Sequence, residues 1–166
     1  MNVVDELLKR ASEYALEFRS SGLPSRPSKG VVVVTCMDAR VNPWKIFGLT
    51  EGDAHVLRNA GGTVTDDVIR SIAISQRLLG TEEVVLVHHT GCGMLSITDE
   101  AFKDQVEQET GTRPPWDVEA FADLDEHLRQ SLAKVVSSPF IPKKDAVRGF
   151  VFDVETGRLR EVGLAG

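Results

Sequence analysis

Apolar side chains recur along residues 3–18 at Val4, Leu7, Leu8, Ala11, Tyr14, Ala15 and Phe18, the spacing of one helix face. Ser20 to Gly30 (SSGLPSRPSKG) interrupts that pattern with serine, proline and glycine and reads as a linker. The helix before it need not share a core with the rest, and a stripe tethered in this way is expected to pack on a partner subunit. Val31 to Cys36 is β-branched and apolar on both faces, which predicts a central parallel strand. Ala54–Arg58 predicts a second short strand, and Glu83–His89 (EVVLVHH) a third. Between them Thr65 or Asp66 can cap a helix carrying Val68, Ile69, Ile72, Ala73 and Leu79, stopped by Gly80. Further helices are expected from Thr98 to about Glu109 and from Val118 to Val136, the latter with Phe121, Leu124, Leu128, Leu132 and Val135 on one side. Gly149–Val154 predicts a last strand, and Glu155-Thr156-Gly157 a turn into Leu159–Val162.

Strands alternating with helices predict an α/β domain with a mostly parallel sheet and helices on both faces. The chain has 166 residues, which suits one domain over 1–166, divided into an arm helix (1–22), a linker (23–30) and a body. No repeat or glycine-rich phosphate fingerprint is present, and Gly61-Gly62 reads only as a turn.

The formal charge of −6 disfavours non-specific attachment to nucleic acid or to an anionic membrane. The N-terminus lacks a basic stretch followed by an apolar one, and the longest apolar run, Val31–Val34, cannot span a bilayer. A soluble, cytoplasmic protein is expected. Its two cysteines, Cys36 and Cys92, are too few for a disulfide framework, and alone they would read as small buried hydrophobes.

Their surroundings change that reading. Ligands of open parallel sheets bind at the carboxyl ends of strands. Cys36 ends the first strand, and His89-Thr90-Gly91-Cys92 ends the third. If those strands are neighbours, about 5 Å apart, Cys36 can meet His89 and Cys92 at one centre. Glycines at 91 and 93 free the backbone to turn. Two thiolates and one imidazole leave a tetrahedral zinc ion one open position, the pattern of a catalytic site. Consecutive strand side chains face opposite ways, so only one of His88 and His89 can point at the metal. His89 is the expected ligand, and His88, His55 and His127 are expected to pack. Asp38 and Arg40 follow Cys36 closely. Arg40 can hold the Asp38 carboxylate bidentately and keep it ionised, as the acceptor for the proton of a metal-activated hydroxide. Released from Arg40, Asp38 could instead fill the open metal position.

At these residues a resemblance emerges. Cys36-Met37-Asp38-Ala39-Arg40 and His89-Thr90-Gly91-Cys92-Gly93 resemble the two signatures of the β-carbonic anhydrases, and Arg58-Asn59-Ala60-Gly61-Gly62 resembles a strand-end segment of that family. The likeness runs by motif from about Val31 to Gly93 and more loosely to Arg148–Asp153, in a chain similar in length to the short actinobacterial-type members. It implies a four-stranded parallel sheet, zinc on Cys36, His89 and Cys92, an Asp38–Arg40 dyad, and hydration of carbon dioxide to bicarbonate. It also implies a homodimer or homotetramer, with the N-terminal helix reaching onto the partner. Ala39 stands where many members carry serine, and the glutamine that longer, plant-like members place near substrate has no counterpart. Two other functions fit the same ligands: hydrolysis of carbonyl sulfide or carbon disulfide, and non-catalytic zinc binding or redox sensing. Asp38 and Arg40 argue against the last, because a structural site needs neither.

Overall fold

The computed structural model describes residues 2–164. Five strands form one sheet: β1 (Val31–Cys36), β2 (Ala54–Asn59), β3 (Glu83–His89), β4 (Val147–Phe152) and β5 (Leu159–Val162), in the order β2-β1-β3-β4-β5. The first four run parallel, as expected, and β5 adds an antiparallel edge. The reason lies in the connection. Asp153 accepts the amides of Glu155 and Thr156 on Oδ1 (2.8 and 3.2 Å) and that of Gly157 on its carbonyl (2.8 Å). A turn this tight can join only antiparallel neighbours. It also ends β4 at Phe152, two residues before the expected Val154.

Side chains alternate between two cores. Val32 and Val34 of β1, Val84 and Leu86 of β3 and Val151 of β4 meet α3 (Asp66–Leu79) and α5 (Leu124–Ser137) through Ile69, Ile72, Leu128, Leu132 and Val135. Val33, Val87 and Phe152 face the other way, toward Val41 and the short α2 (Pro43–Phe47). Thr65 caps α3 and Gly80 closes it in the left-handed region. Thr98 and Gly111 do the same for α4 (Asp99–Thr110).

Three elements differ from expectation. α2, bounded by Asn42 and Gly48, is too short to show a helical period. The helix expected from Val118 begins only at Leu124. The Asp99 carboxylate takes the amides of Val118, Glu119 and Ala120 (3.2, 3.3 and 2.9 Å), Glu119 adopts φ 63°, and Asp123 caps α5 through the Glu126 amide. The 20–30 segment carries no helix or strand, yet Ser28 and Lys29 donate to the carbonyls of Gly52 and Asp53 (2.8 and 3.0 Å), so its second half lies along the body. The N-terminal helix α1 (Val3–Glu17) buries none of its residues in its own chain.

Candidate metal centre

β1 lies directly beside β3, with Thr35 in register with Val87, so the carboxyl ends of both strands open at one edge. Cys36 is the last residue of β1 and His89 the last of β3. Beyond His89, the Thr90 amide donates to the Phe152 carbonyl (2.9 Å) and its hydroxyl accepts the Val154 amide (3.1 Å), which ties the turn to β4. Gly91 then takes φ 62°, a left-handed conformation that costs glycine little, and returns the chain so that Cys92 faces the same point. The sulfurs of Cys36 and Cys92 and a ring nitrogen of His89 lie within 4.8 Å of one another. Zinc bonds of about 2.3 Å to sulfur and about 2.0–2.1 Å to nitrogen require donor separations of roughly 3.5–3.8 Å, inside that envelope. All three residues are buried.

The donor chemistry fits a soft dication. His89 Nδ1 lies 2.9 Å from the Thr90 carbonyl, which assigns the proton to Nδ1 and leaves Nε2 with its lone pair. Nε2 is buried and has no hydrogen-bonding partner. A buried bare nitrogen beside two thiols is costly unless something electropositive satisfies it. Cys92 donates to Cys36, which outweighs burial and holds the Cys36 thiol down to about 4, while Cys92 is pushed up. For His89, burial works against the charged ring, but the Cys36 sulfur, the Thr90 carbonyl and the charges of Cys36 and Asp38 raise it overall.

Asp38 and Arg40 border this donor set. Asp38 Oδ1 accepts from Arg40 N (2.9 Å) and Nε (3.0 Å), and Oδ2 from Nη2 (2.8 Å). Nη2 also reaches the Gly91 carbonyl (2.9 Å), bridging the segments that follow Cys36 and precede Cys92. The hydrogen bonds from Arg40 outweigh desolvation and hold the Asp38 carboxyl well below the ordinary carboxylate range. Its Oδ2 lies 3.7 Å from His89 Nε2.

The remaining histidines lie outside the cluster. His88 shares a 2.7 Å hydrogen bond with His127, and Phe121 stacks on both rings. Burial, then the His127 and His89 charges, lower the His88 ring to about 3. His55 joins Ser75 and the Ser25 carbonyl. Two contributors escaped the sequence reading. Gly62, taken there as a turn, brings its Cα against the end of β1, where a Cβ would lie 2.9 Å from the Cys36 amide nitrogen. Arg58 donates to three carbonyls of the segment that carries Cys36 and Asp38. The only advance sign of either was the Arg58–Gly62 segment between the two signatures.

The carbonic anhydrase family matches this chain over residues 31–116. Beta-carbonic anhydrase 1 of Mycobacterium tuberculosis is 53% identical over 162 residues, covering 98% of this chain and 99% of the relative. The chain belongs to the β-carbonic anhydrase family. The family fold also appears in the crystal structure of carbonic anhydrase from Streptococcus mutans, with a TM-score of 0.92, 41% identity and coverage of 98% and 99% of the two chains. A carbon disulfide hydrolase from an Acidianus strain is more distant, at 35% identity over 95% of this chain and 88% of that protein. Among the described residues no helix is long and apolar enough to cross a membrane.

Proposed function

We propose that this chain is a carbonic anhydrase catalysing the zinc-dependent, reversible hydration of carbon dioxide to bicarbonate. The observation that carries the proposal is a buried set of two thiols and one bare imidazole nitrogen, bordered by a carboxylate that Arg40 keeps ionised. Cys36, His89 and Cys92 hold the metal. Zinc would supply acidity when bound, bringing the pKa of its water down to about 7 as in carbonic anhydrases at large. Asp38 would accept a hydrogen bond from the O–H of the nucleophile, which keeps its proton, and so aim the nucleophile's lone pair toward the substrate carbon. Arg40 fixes the direction of that carboxylate and, through the Gly91 carbonyl, its distance from the Cys92 turn. An Asp38 freed from Arg40 would offer the metal a further oxygen donor, and the pairing with Arg40 keeps the carboxylate out of that role. Greater identity to named carbonic anhydrases (53%) than to named carbon disulfide hydrolases (up to 36%) favours carbon dioxide over the sulfur analogues.

The working unit in this reading is a homodimer, alone or paired into a tetramer. Val4, Leu7, Leu8 and Leu16 of α1 are each more than 60% exposed, and Val31, Val56 and Val85 on the α2 side of the sheet are only partly covered. A second copy would bury both. Two unpaired thiols serving as ligands suit the reducing cytoplasm.

The test is stopped-flow carbon dioxide hydration normalised to bound zinc, with sulfide release from carbonyl sulfide measured in parallel. Cys36→Ser, His89→Ala and Cys92→Ser should lose most zinc and nearly all activity. Asp38→Ala and Arg40→Ala should keep zinc, with the Asp38 variant falling about 100-fold or more. The hydrogen bonds from Arg40 depress the Asp38 pKa, so the carboxylate stays ionised below the ordinary carboxylate value and is neutralised only as pH falls through the lower one. Titration of Asp38 is therefore not expected to produce the acid limb of the rate profile. Wild-type activity in both dyad variants at every pH assayed would refute the mechanism.

A further inference from the structure

We propose that Arg58 is a positioning residue, building the Asp38–Arg40 dyad by gripping the backbone that carries it. The proposal rests on the functional reading above and adds a component to it.

The ladder between β1 and β2 ends at Cys36 and Asn59, and one more bond, from the Met37 amide to the Asn59 carbonyl (2.8 Å), follows it. From Asp38 the chain leaves the sheet, turns through a Val41 amide to Asp38 carbonyl bond (3.0 Å) and buries Val41 in the α2-side core. No strand partners this segment, so something else must set where Asp38 and Arg40 stand. Arg58 pairs with Thr35 in the β1–β2 register and reaches forward past the strand end. Its Nε donates to the Cys36 carbonyl (2.9 Å), and its Nη2 donates to the carbonyls of Asp38 and Val41 (2.8 Å each). One planar side chain thus holds the first metal-ligand residue, the dyad carboxylate residue and the end of the turn in a single relation. Among the described residues no carboxylate pairs with Arg58, so its positive charge is directed at three carbonyl oxygens.

The arrangement needs an arginine. The guanidinium presents donors in a rigid plane, and two N–H groups on one nitrogen can serve two carbonyls while Nε serves the third. A lysine ammonium keeps the charge but cannot reproduce that fork. Without it the 38–41 turn gains freedom, and the Asp38 carboxylate no longer meets Arg40 and the donor set in one geometry. A displacement of about 1 Å in a positioned group can cost up to about 100-fold in rate.

The test compares Arg58→Lys and Arg58→Ala in the wild-type and Asp38→Ala backgrounds, each zinc-loaded and normalised to bound zinc. Carbon dioxide hydration by Arg58→Lys should fall roughly 10- to 100-fold in the wild-type background. It should fall less than about 2-fold once Asp38 is absent, because residues acting through one another are not additive. Guanidinium added to Arg58→Ala should restore part of the rate, which also carries the test if the lysine variant folds poorly. A readout independent of turnover is the Arg40 Nε–H resonance, assigned by its loss in Arg40→Lys. It should sit away from the free-arginine position in the parent protein and move to it in Arg58→Lys. An unmoved Arg40 resonance, an unchanged rate, or an equal loss in both backgrounds would overturn the proposal. An inactive zinc-loaded parent would instead overturn the functional reading and leave the resonance to judge Arg58.

Discussion

Replacing Gly62 by alanine tests how tightly the end of β1 is boxed in. Gly62 is buried with φ 63°, and a Cβ there would lie 2.9 Å from the Cys36 amide nitrogen and 3.0 Å from the Thr35 carbonyl carbon. Comfortable carbon contacts begin near 3.5 Å, so at least about 0.5 Å must be found. Both obstructing atoms belong to the backbone of a strand paired on two sides, and neither can rotate away. The left-handed backbone costs a non-glycine residue about 1–2 kcal/mol, and one unaccommodated methyl adds about 1–3 kcal/mol. The total is about 2–5 kcal/mol, a large share of the roughly 5–15 kcal/mol that holds a domain together. Gly111→Ala is the control, because Gly111 has φ 77° and nothing within 4 Å, so it meets only the conformational cost. With a urea slope of about 2 kcal/mol per molar, a loss of about 3 kcal/mol lowers the midpoint by about 1.5 M for Gly62→Ala. The control should move by about 0.5–1 M on the same slope. The measurements are urea unfolding of the zinc-loaded variants and the rate at which a chelator removes zinc. Because the displaced atom belongs to Cys36, zinc should leave Gly62→Ala faster than wild type, and Gly111→Ala at the wild-type rate. Equal midpoints and equal zinc loss in the two variants would refute the argument.

Asp99→Ala removes the acceptor for three consecutive amides at Val118–Ala120 and should cost about 1–3 kcal/mol. Limited proteolysis should then cut residues 112–121 faster than in wild type, and an unchanged cleavage pattern would count against that anchor. Deleting residues 1–20 removes the exposed apolar face of α1 and should shift light scattering toward monomer or toward aggregates. A wild-type chain that is already monomeric at micromolar concentration would exclude α1 as an association arm.

Most of the secondary structure is local information, and it was legible. A run such as Val31–Cys36 prefers a buried strand in almost any setting, and its alternation assigned successive residues to opposite faces before either face had a partner. The cap of α3 is similarly short-range, since Thr65 needs only an amide three residues ahead, and Thr98, read in the sequence only as a helix start, caps α4 in the same way. The His89–Cys92 spacing, with glycine between, marked one half of the donor set in the same way.

Relations between distant segments needed the tertiary structure. The sequence made Cys36 a candidate partner for His89 only if β1 and β3 were neighbours, and that adjacency is a property of the whole sheet, decided by how the crossovers bury both faces. The α5 start moved because the carboxylate of Asp99, on another helix, competed successfully for the amides of 118–120, and periodicity carries no trace of that competition. The same holds for Gly62 against the Cys36 backbone and for Arg58 across the carbonyls of 36, 38 and 41. Residue type and spacing determined which chemistry this chain could carry. Long-range packing and hydrogen bonding, whose energies depend on separations no linear pattern encodes, decided where that chemistry stands and what holds it there.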